Sequence, residues 1–467
     1  LHGDRIAIFF RTRNEINHAL RIAAEISKKL REYGVDAPLV IPVGGKESLC
    51  RFPPENTQIL KWWCRIIRCE YIRRKRSRDL SRRIKSEHPT DIKDYFILAR
   101  EERVCPYFAY QELCAESRIV FATHPYFIQD ELFERLGDRD ILIIDEAHNL
   151  LKIITGRIGI DEYTYARKIL EKSGEEDLGN VITRYWRQGM KSDSILLSIY
   201  ESFDNAPGFK IKVKDEFIKV QAPLALLKKR LIPVRQIFLL SSTLYPINLY
   251  RTIFSQNIPS EVGIIPGLFK STSKRFIALL RIGLTSQFTK RSEDVFRKYA
   301  EVIESIVNTL KKITIIFAPS YEFAKRLAKN LDLKVSSDLT DVYNENLALS
   351  VIRGRLAEGV DITIHGKDPE LLIITGLPYP ERNEEFIEIM KFYSKYYKLN
   401  FPSLLKLVET SEMISGLIQT AGRVGRRKKG AVIIIDDRLS KFNLGIREYT
   451  SLPSLLRSLR YFFGMSS

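Results

Sequence analysis

Two adjacent carboxylates, Asp145 and Glu146, follow the run Ile141, Leu142, Ile143, Ile144 and precede Ala147 and His148. Four consecutive branched or leucine side chains predict a strand buried on both faces, as at the centre of a parallel sheet. Acidic groups at the C-terminal tip of such a strand stand where open α/β sheets receive their ligands. Side by side and shielded from water they repel each other, so a divalent cation is their natural complement. The plainer alternative is a strand that ends in a charged turn.

Two further clusters could do chemistry. Cys50, Cys64, Cys69 and Cys105 are separated by gaps of 13, 4 and 35 residues. Four thiolates gathered by one inserted loop suit a tetrahedral zinc or a [4Fe–4S] cluster, and spacing alone does not choose between them. The fifth cysteine, Cys114, reads as a small buried hydrophobe. Arg423 and Arg426 are three apart, so on a helix they share a face and could clamp phosphate oxygens. A lone pair of this kind is more often a solvated helix end. Residues 61–85 carry 11 Lys and Arg against Glu70 and Asp79, with Trp62, Trp63 and Tyr71 interleaved. Cations for phosphates and aromatic faces for bases make a sequence-tolerant single-strand site, with Arg73, Arg74, Lys75 and Arg76 at its heart; the alternative is a solvated helical face.

The elements that must position these groups alternate strand and helix. Residues 5–10, 119–122, 141–144 and 237–240 read as strands of one sheet, and 313–317, 371–375 and 431–435 as strands of a second. Ile16, Leu20, Ala23, Ile26 and Leu30 mark the buried face of a helix after the first strand. Two parallel sheets, each wrapped by helices, is the economical α/β reading. Residues 46–108 and the charged, largely helical stretch 151–230 look like insertions into the first sheet domain.

At 467 residues the chain exceeds a single core. Its apolar content of 45% is ordinary for a soluble protein. No run reaches the roughly 18 apolar residues of a membrane span, and no signal peptide opens it, so a cytoplasmic protein is expected. Five cysteines there are a poor disulfide framework. The net charge of +18 points to a polyanionic partner, since a charge-rich thermophile composition explains many charges but not their lopsided sign.

The spelling Asp145-Glu146-Ala147-His148 resembles the DEAH box of superfamily 2 helicases. Gln419-Thr420-Ala421-Gly422-Arg423-Val424-Gly425-Arg426 resembles helicase motif VI, and Ser241-Ser242-Thr243-Leu244 resembles motif III. Arg353-Gly354-Arg355 with Glu358-Gly359-Val360-Asp361 resembles motif V of the XPD branch. Phe317-Ala318-Pro319-Ser320-Tyr321 is similar to its motif IV, Gly376-Leu377-Pro378-Tyr379-Pro380 to its strand exit, and Arg11-Thr12-Arg13-Asn14-Glu15 to motif Ia. Their shared order resembles the XPD-like, iron–sulfur, 5′-to-3′ DNA helicases.

That resemblance implies two RecA-like motor domains. Domain 1 would comprise 1–45, 109–150 and 231–245, interrupted by an iron–sulfur insertion at 46–108 and an arch-like insertion at 151–230. Domain 2 would comprise 246–467. Asp145 would coordinate Mg²⁺, Glu146 would activate water, and His148 would link hydrolysis to motif III. Gln419, Arg423 and Arg426, with Gly359 and Asp361, would serve the ATP phosphates across a cleft. Arg11, Thr12, Ser320 and Tyr321 would grip single-stranded DNA, and the cluster insertion would sit at the fork.

The four cysteines occupy the slot of the family's cluster ligands, and Cys105 precedes Pro106-Tyr107 as the last of them does. The family's middle pair is usually Cys-x-x-Cys, so the wider gap before Cys69 is a departure. A monomer working in DNA repair, in the cytoplasm of a thermophilic archaeon, completes the expectation. Related alternatives are a DinG-like iron–sulfur helicase and an inactive nucleic-acid-binding relative.

No Gly-x-x-x-x-Gly-Lys-Ser/Thr string is present to cradle phosphates. Gly44-Gly45-Lys46-Glu47-Ser48 misplaces the first glycine and has Glu47 where the hydroxyl belongs. The motif should precede Arg11, so it is expected beyond the given chain, which opens at Leu1 without a Met.

Overall fold

The computed structural model describes residues 4–73, 78–174, 177–241, 243–256, 258–261, 272–336, 346–352, 367–425, 428–442 and 444–465. These divide into two compact units. The first comprises Leu1–Ser241, Arg251–Asn257 and Arg382–Phe401, and the second Ser242–Tyr250, Ile258–Glu381 and Pro402–Ser467.

In the first unit the strands are β1 (Ile6–Phe10), β2 (Val40–Pro42), β3 (Ile119–Thr123), β4 (Ile141–Ile144), β5 (Ile153–Gly159), β6 (Phe209–Val213), β7 (Glu216–Gln221) and β8 (Gln236–Leu239). Five of them form a parallel sheet in the order β2-β3-β1-β4-β8. Helices supply the crossovers that parallel pairing requires. The helix Arg13–Glu32 follows β1, opened by a capping box in which Thr12 Oγ1 accepts from the Glu15 amide while Glu15 accepts from the Thr12 amide.

The stretch 151–230 is largely helical, as its pattern suggests, but it also contains a small sheet. It holds the helices Ile160–Ser173, Leu178–Arg187, Lys191–Asn205 and Pro223–Leu231 together with an antiparallel sheet, order β5-β7-β6. β6 (Phe-Lys-Ile-Lys-Val) alternates with period two and is joined to β7 by Lys214-Asp215, Lys214 at φ 50. This two-residue hairpin signal is short and sits among longer helical patterns. The two insertions share an apolar cluster in which Ile59 and Ile66 meet Val181, Ile182 and Leu197. Trp63 and Trp186 pack edge to face at 5.7 Å, and a Cβ on Gly179 would meet the Trp62 ring at 2.3 Å, so that helix contact needs the glycine.

The second unit holds β9 (Arg275–Leu280), β10 (Thr314–Ala318), β11 (Leu347–Val351), β12 (Leu371–Ile374), β13 (Gly430–Ile434) and β14 (Arg447–Tyr449) in one parallel sheet, order β11-β10-β12-β13-β9-β14. Alternate residues feed two cores. Ile316, Ile373 and Ile433 face one cluster, while Ile315, Ile374 and Ile434 face the other. Both faces are therefore covered, which is why these strands read as unbroken apolar runs.

The helix Glu384–Tyr397 is reached by chain of the second unit on both sides, yet packs in the first. Its Ile389, Met390 and Tyr393 are fully buried, Glu385 pairs with Arg157 at 2.6 Å, and Tyr393 Oη donates to the Gln221 carbonyl at 3.3 Å.

Candidate active site

β4 lies between β1 and β8, and its exit is fixed by both. The Asp145 amide donates to the Phe9 carbonyl at 2.9 Å, and the Ala147 amide to the Leu240 carbonyl at 2.9 Å. Between these anchors Glu146 takes the left-handed conformation, φ 48 and ψ 43, and starts a short 3₁₀ turn, Ala147–Leu151. A non-glycine residue pays about 1 kcal/mol for that conformation, so it persists only where surrounding contacts impose it.

Those contacts are polar. Glu146 Oε2 lies 3.1 Å from His148 Nδ1 and accepts from Ser241 Oγ at 3.3 Å, while His148 Nδ1 and Ser241 Oγ stand 2.9 Å apart. With Ser241 donating to Glu146, the hydrogen on His148 Nδ1 is available to both oxygens. The hydrogen bond from His148 outweighs burial and holds the Glu146 carboxyl below its ordinary range, with Ser241 and the more distant Arg11 charge helping. Asp145 behaves oppositely. Burial first, and then the charge of Glu146, push its carboxyl up. Among the described residues no Lys or Arg forms an ion pair with Asp145. An ionised, half-buried carboxylate lacking a cation of its own suits a divalent metal.

Asp145, Glu146, His148 and Ser241 are thus brought together as the sequence suggests. His124 is the residue that sequence reasoning missed. It follows β3 directly, is buried, and its Nε2 lies 2.8 Å from the Asp145 carbonyl. A histidine closing a buried strand beside β1 was the available signal.

Other expected residues have local roles. Thr12 spends its hydroxyl on the helix cap, and Ser320 likewise accepts from the Phe323 amide at 3.3 Å to open the helix Tyr321–Leu331. Tyr321 is 52% exposed. Gln419 lies in the last turn of the helix Phe401–Ala421, but that helix stops short of Arg423, which sits in the following turn. The helical face proposed for Arg423 and Arg426 therefore does not form at Arg423. Gly425 turns there at φ 74, where a Cβ would meet the Lys274 carbonyl at 3.1 Å. Arg73 ends the short turn Glu70–Arg73. Arg74, Lys75, Arg76, Gly359, Asp361 and Arg426 lie outside the described residues, as do Ser242 and the motif V residues 353–358.

Cys50, Cys64, Cys69 and Cys105 line one cavity, with Lys46 and Arg51 in its wall. The wide gap between Cys64 and Cys69 is closed by a turn with Arg68 at φ 51, and the Cys69 amide donates to the Cys64 carbonyl at 2.9 Å. Burial raises the Cys50 and Cys105 thiols. Among the described residues no group of three or more Cys, His, Asp or Glu stands in position to hold a metal ion. The donor chemistry fits a thiolate-bound centre, while the side chains are not drawn into a coordination shell. Cys114 is fully buried, its thiol pushed up to about 12. Lys46 donates to the Leu60 and Lys61 carbonyls at 2.7 and 3.2 Å, a structural use unlike that of a phosphate-loop lysine. Among the described residues no helix is long and apolar enough to cross a membrane.

Residues 11–161 match the DEAD_2 family, and residues 303–454 match the helicase C-terminal domain. The ATP-dependent DNA helicase XPD of Sulfolobus acidocaldarius is 23% identical over 362 residues, covering 62% of this chain and 64% of that protein. A regulator of telomere elongation helicase 1 homolog from Arabidopsis thaliana is 24% identical over 163 residues, covering 31% of this chain and 16% of that protein. The matched stretches thus span less than two thirds of these relatives. A solved XPD helicase superposes with TM-score 0.64 at 17% identity, over 96% of this chain and 92% of the other, and an apo XPD structure with TM-score 0.53 at 15% identity. At such identities the superpositions speak for the fold, two RecA-like parallel sheets. With two helicase families matched in order along the chain and the DEAH turn built at the tip of β4, this chain belongs to the XPD-like superfamily 2 helicases.

Proposed function

We propose that this chain is the motor of an ATP-dependent 5′-to-3′ DNA helicase of the XPD type. The observation that carries the reading is the pair of carboxylates at one strand tip with opposite surroundings. Asp145 awaits a cation, and Glu146 is held ionised by His148 and Ser241. Mg²⁺ bound there would neutralise phosphate charge. Asp145 would hold it, Glu146 would orient and deprotonate the attacking water, and His148 would report that event to Ser241. Gln419, Arg423 and Arg426, with Gly359 and Asp361, would be the second unit's groups for the nucleotide.

Single-stranded DNA is the proposed track, held at Arg11 and Thr12, at the basic tract Arg73, Arg74, Lys75 and Arg76, and at Ser320 and Tyr321. Exposed Tyr321 offers a face for base stacking. A [4Fe–4S] cluster is the proposed occupant of the cysteine cavity, where Lys46 and Arg51 would balance the charge of four thiolates. Forked substrates, a monomeric state, a cytoplasmic setting in a thermophilic archaeon and a role in repair belong to the same proposal. Iron and acid-labile sulfide in the protein as isolated, with visible absorbance lost on oxidation, test the cluster against zinc.

The decisive variant is Glu146→Gln in the intact gene product. DNA-stimulated ATP hydrolysis is expected to fall about 100- to 10,000-fold, the usual worth of a positioned base, with DNA binding retained. Unchanged turnover would refute the assignment.

A further inference from the structure

The peptide that joins the two carboxylates is held at both of its ends. Its N–H, from Glu146, donates to Asp145 Oδ1 at 2.9 Å. Its C=O, from Asp145, lies 2.8 Å from His124 Nε2. A carbonyl can only accept, so His124 presents its Nε2–H tautomer to it.

The tie spans more than one strand. β3 and β4 each pair with β1 and not with one another. Backbones two strands apart are separated by roughly 10 Å, a distance no main-chain bond covers. The His124 side chain crosses it, from the first residue of the helix His124–Ile128, with 7% of its surface exposed. The same carboxylate turn is pinned to β1 through the Asp145 amide and the Phe9 carbonyl at 2.9 Å. Three strand tips are thus referred to a single peptide.

That peptide sets the φ of Glu146, which sits at 48 in the left-handed region. Released at its carbonyl, the peptide can rotate, and Glu146 gains by falling back to an ordinary conformation. Its carboxylate would then leave His148 and Ser241. We infer that His124 is a positioning residue for hydrolysis, aiming Glu146 and Asp145 by holding the peptide between them. His124 acts through that peptide and not through its own side chain's chemistry. The inference rests on the reading of Asp145 and Glu146 given above.

The test compares the intact protein with H124A, H124Q and E146Q, reading kcat and KM for ATP, DNA affinity and thermal midpoint. H124A is expected to lower kcat about 10- to 100-fold, the usual cost of removing a supporting partner. DNA affinity should stay near wild type and KM for ATP should change far less than kcat, because the Asp145 amide keeps its bond to the Phe9 carbonyl while Glu146 loses its aim. H124Q keeps a side-chain N–H and should restore most of kcat. Should H124A fail to fold, H124F keeps the bulk, lacks the donor, and carries the same expectation. Wild-type kcat in the variant without a donor overturns the inference, and so does an H124Q no better than that variant. An E146Q protein that still hydrolyses ATP would instead overturn the functional reading, so the two failures are distinguishable.

Discussion

Two strands of this chain read alike and end alike. β4 runs from Ile141 to Ile144 into Asp145 and Glu146, and β13 runs from Gly430 to Ile434 and on through Ile435 into Asp436 and Asp437. Each lies inside a parallel sheet, and each puts an acid at its C-terminal tip. At β13 the chain supplies its own cation. Asp436 is fully buried, yet Arg438 donates to it from Nη2 at 2.7 Å and from Nε at 3.0 Å, and Ser286 donates from Oγ at 2.8 Å and from its amide at 3.0 Å. Burial pushes this carboxyl up, but Arg438 and Ser286 outweigh it and hold it below the ordinary range. At β4 no cationic side chain among the described residues pairs with Asp145, and burial leaves its carboxyl raised. The same strand grammar gives a compensated structural knot in one unit and a carboxylate raised by burial in the other. What separates them is a guanidinium two residues downstream.

The knot at β13 also ties loops. Ser286 Oγ accepts from the Leu377 amide at 3.2 Å, and a Cβ on Gly376 would come within 2.4 Å of Ser286. The Gly376-Leu377-Pro378 exit of β12 is therefore shaped by packing against that serine.

The largest effect that would break this comparison is on stability. Asp436→Asn leaves Arg438 facing a neutral partner, and breaking such a pair should cost about 3 kcal/mol, read as a lower urea midpoint. An unchanged midpoint would remove the structural half of the contrast.

A smaller, pH-linked effect sharpens it. The folded-state pKa of Asp436 is depressed, so its contribution is present above the unfolded value and lost as pH falls through the folded value. Asp145 has the opposite sign. Its raised pKa favours the native state at low pH, and the advantage is lost as pH rises through the folded value. In metal-free buffer the acid limb of the stability profile should therefore weaken in Asp436→Asn and persist in Asp145→Asn. The smallest expected effect is on the neutral-pH stability of Asp145→Asn without metal, which should be equal to or slightly above wild type because a repelling charge has gone.

Much of this was readable from residue order. Unbroken apolar runs located β1, β3, β4 and β8 of the first sheet and β10, β12 and β13 of the second, and the acids at 145 and 146 announced a site because four apolar residues precede them. Long-range geometry was not readable. β9 and β14 join the second sheet through pairing with distant strands, and β6 and β7 are short amid helical patterns. Nothing local in Glu384–Tyr397 reveals that its apolar face is buried in the first unit, because amphipathicity gives a buried face without naming the partner. His124 escaped because its role is set by a carbonyl 21 residues away. Arg423 was misplaced because spacing assumes a continuing helix, while the helix ends at Ala421 and the chain turns at Gly425 with φ 74.

The claim that β4 waits for a cation which β13 already has is tested most directly by Mn²⁺ binding, followed by electron paramagnetic resonance in the presence of ATP. The intact protein and Asp436→Asn, kept below its unfolding midpoint, should bind Mn²⁺·ATP alike, whereas Asp145→Asn should lose about 10-fold or more in Mn²⁺ affinity. Mn²⁺ held equally well by Asp145→Asn would contradict the account.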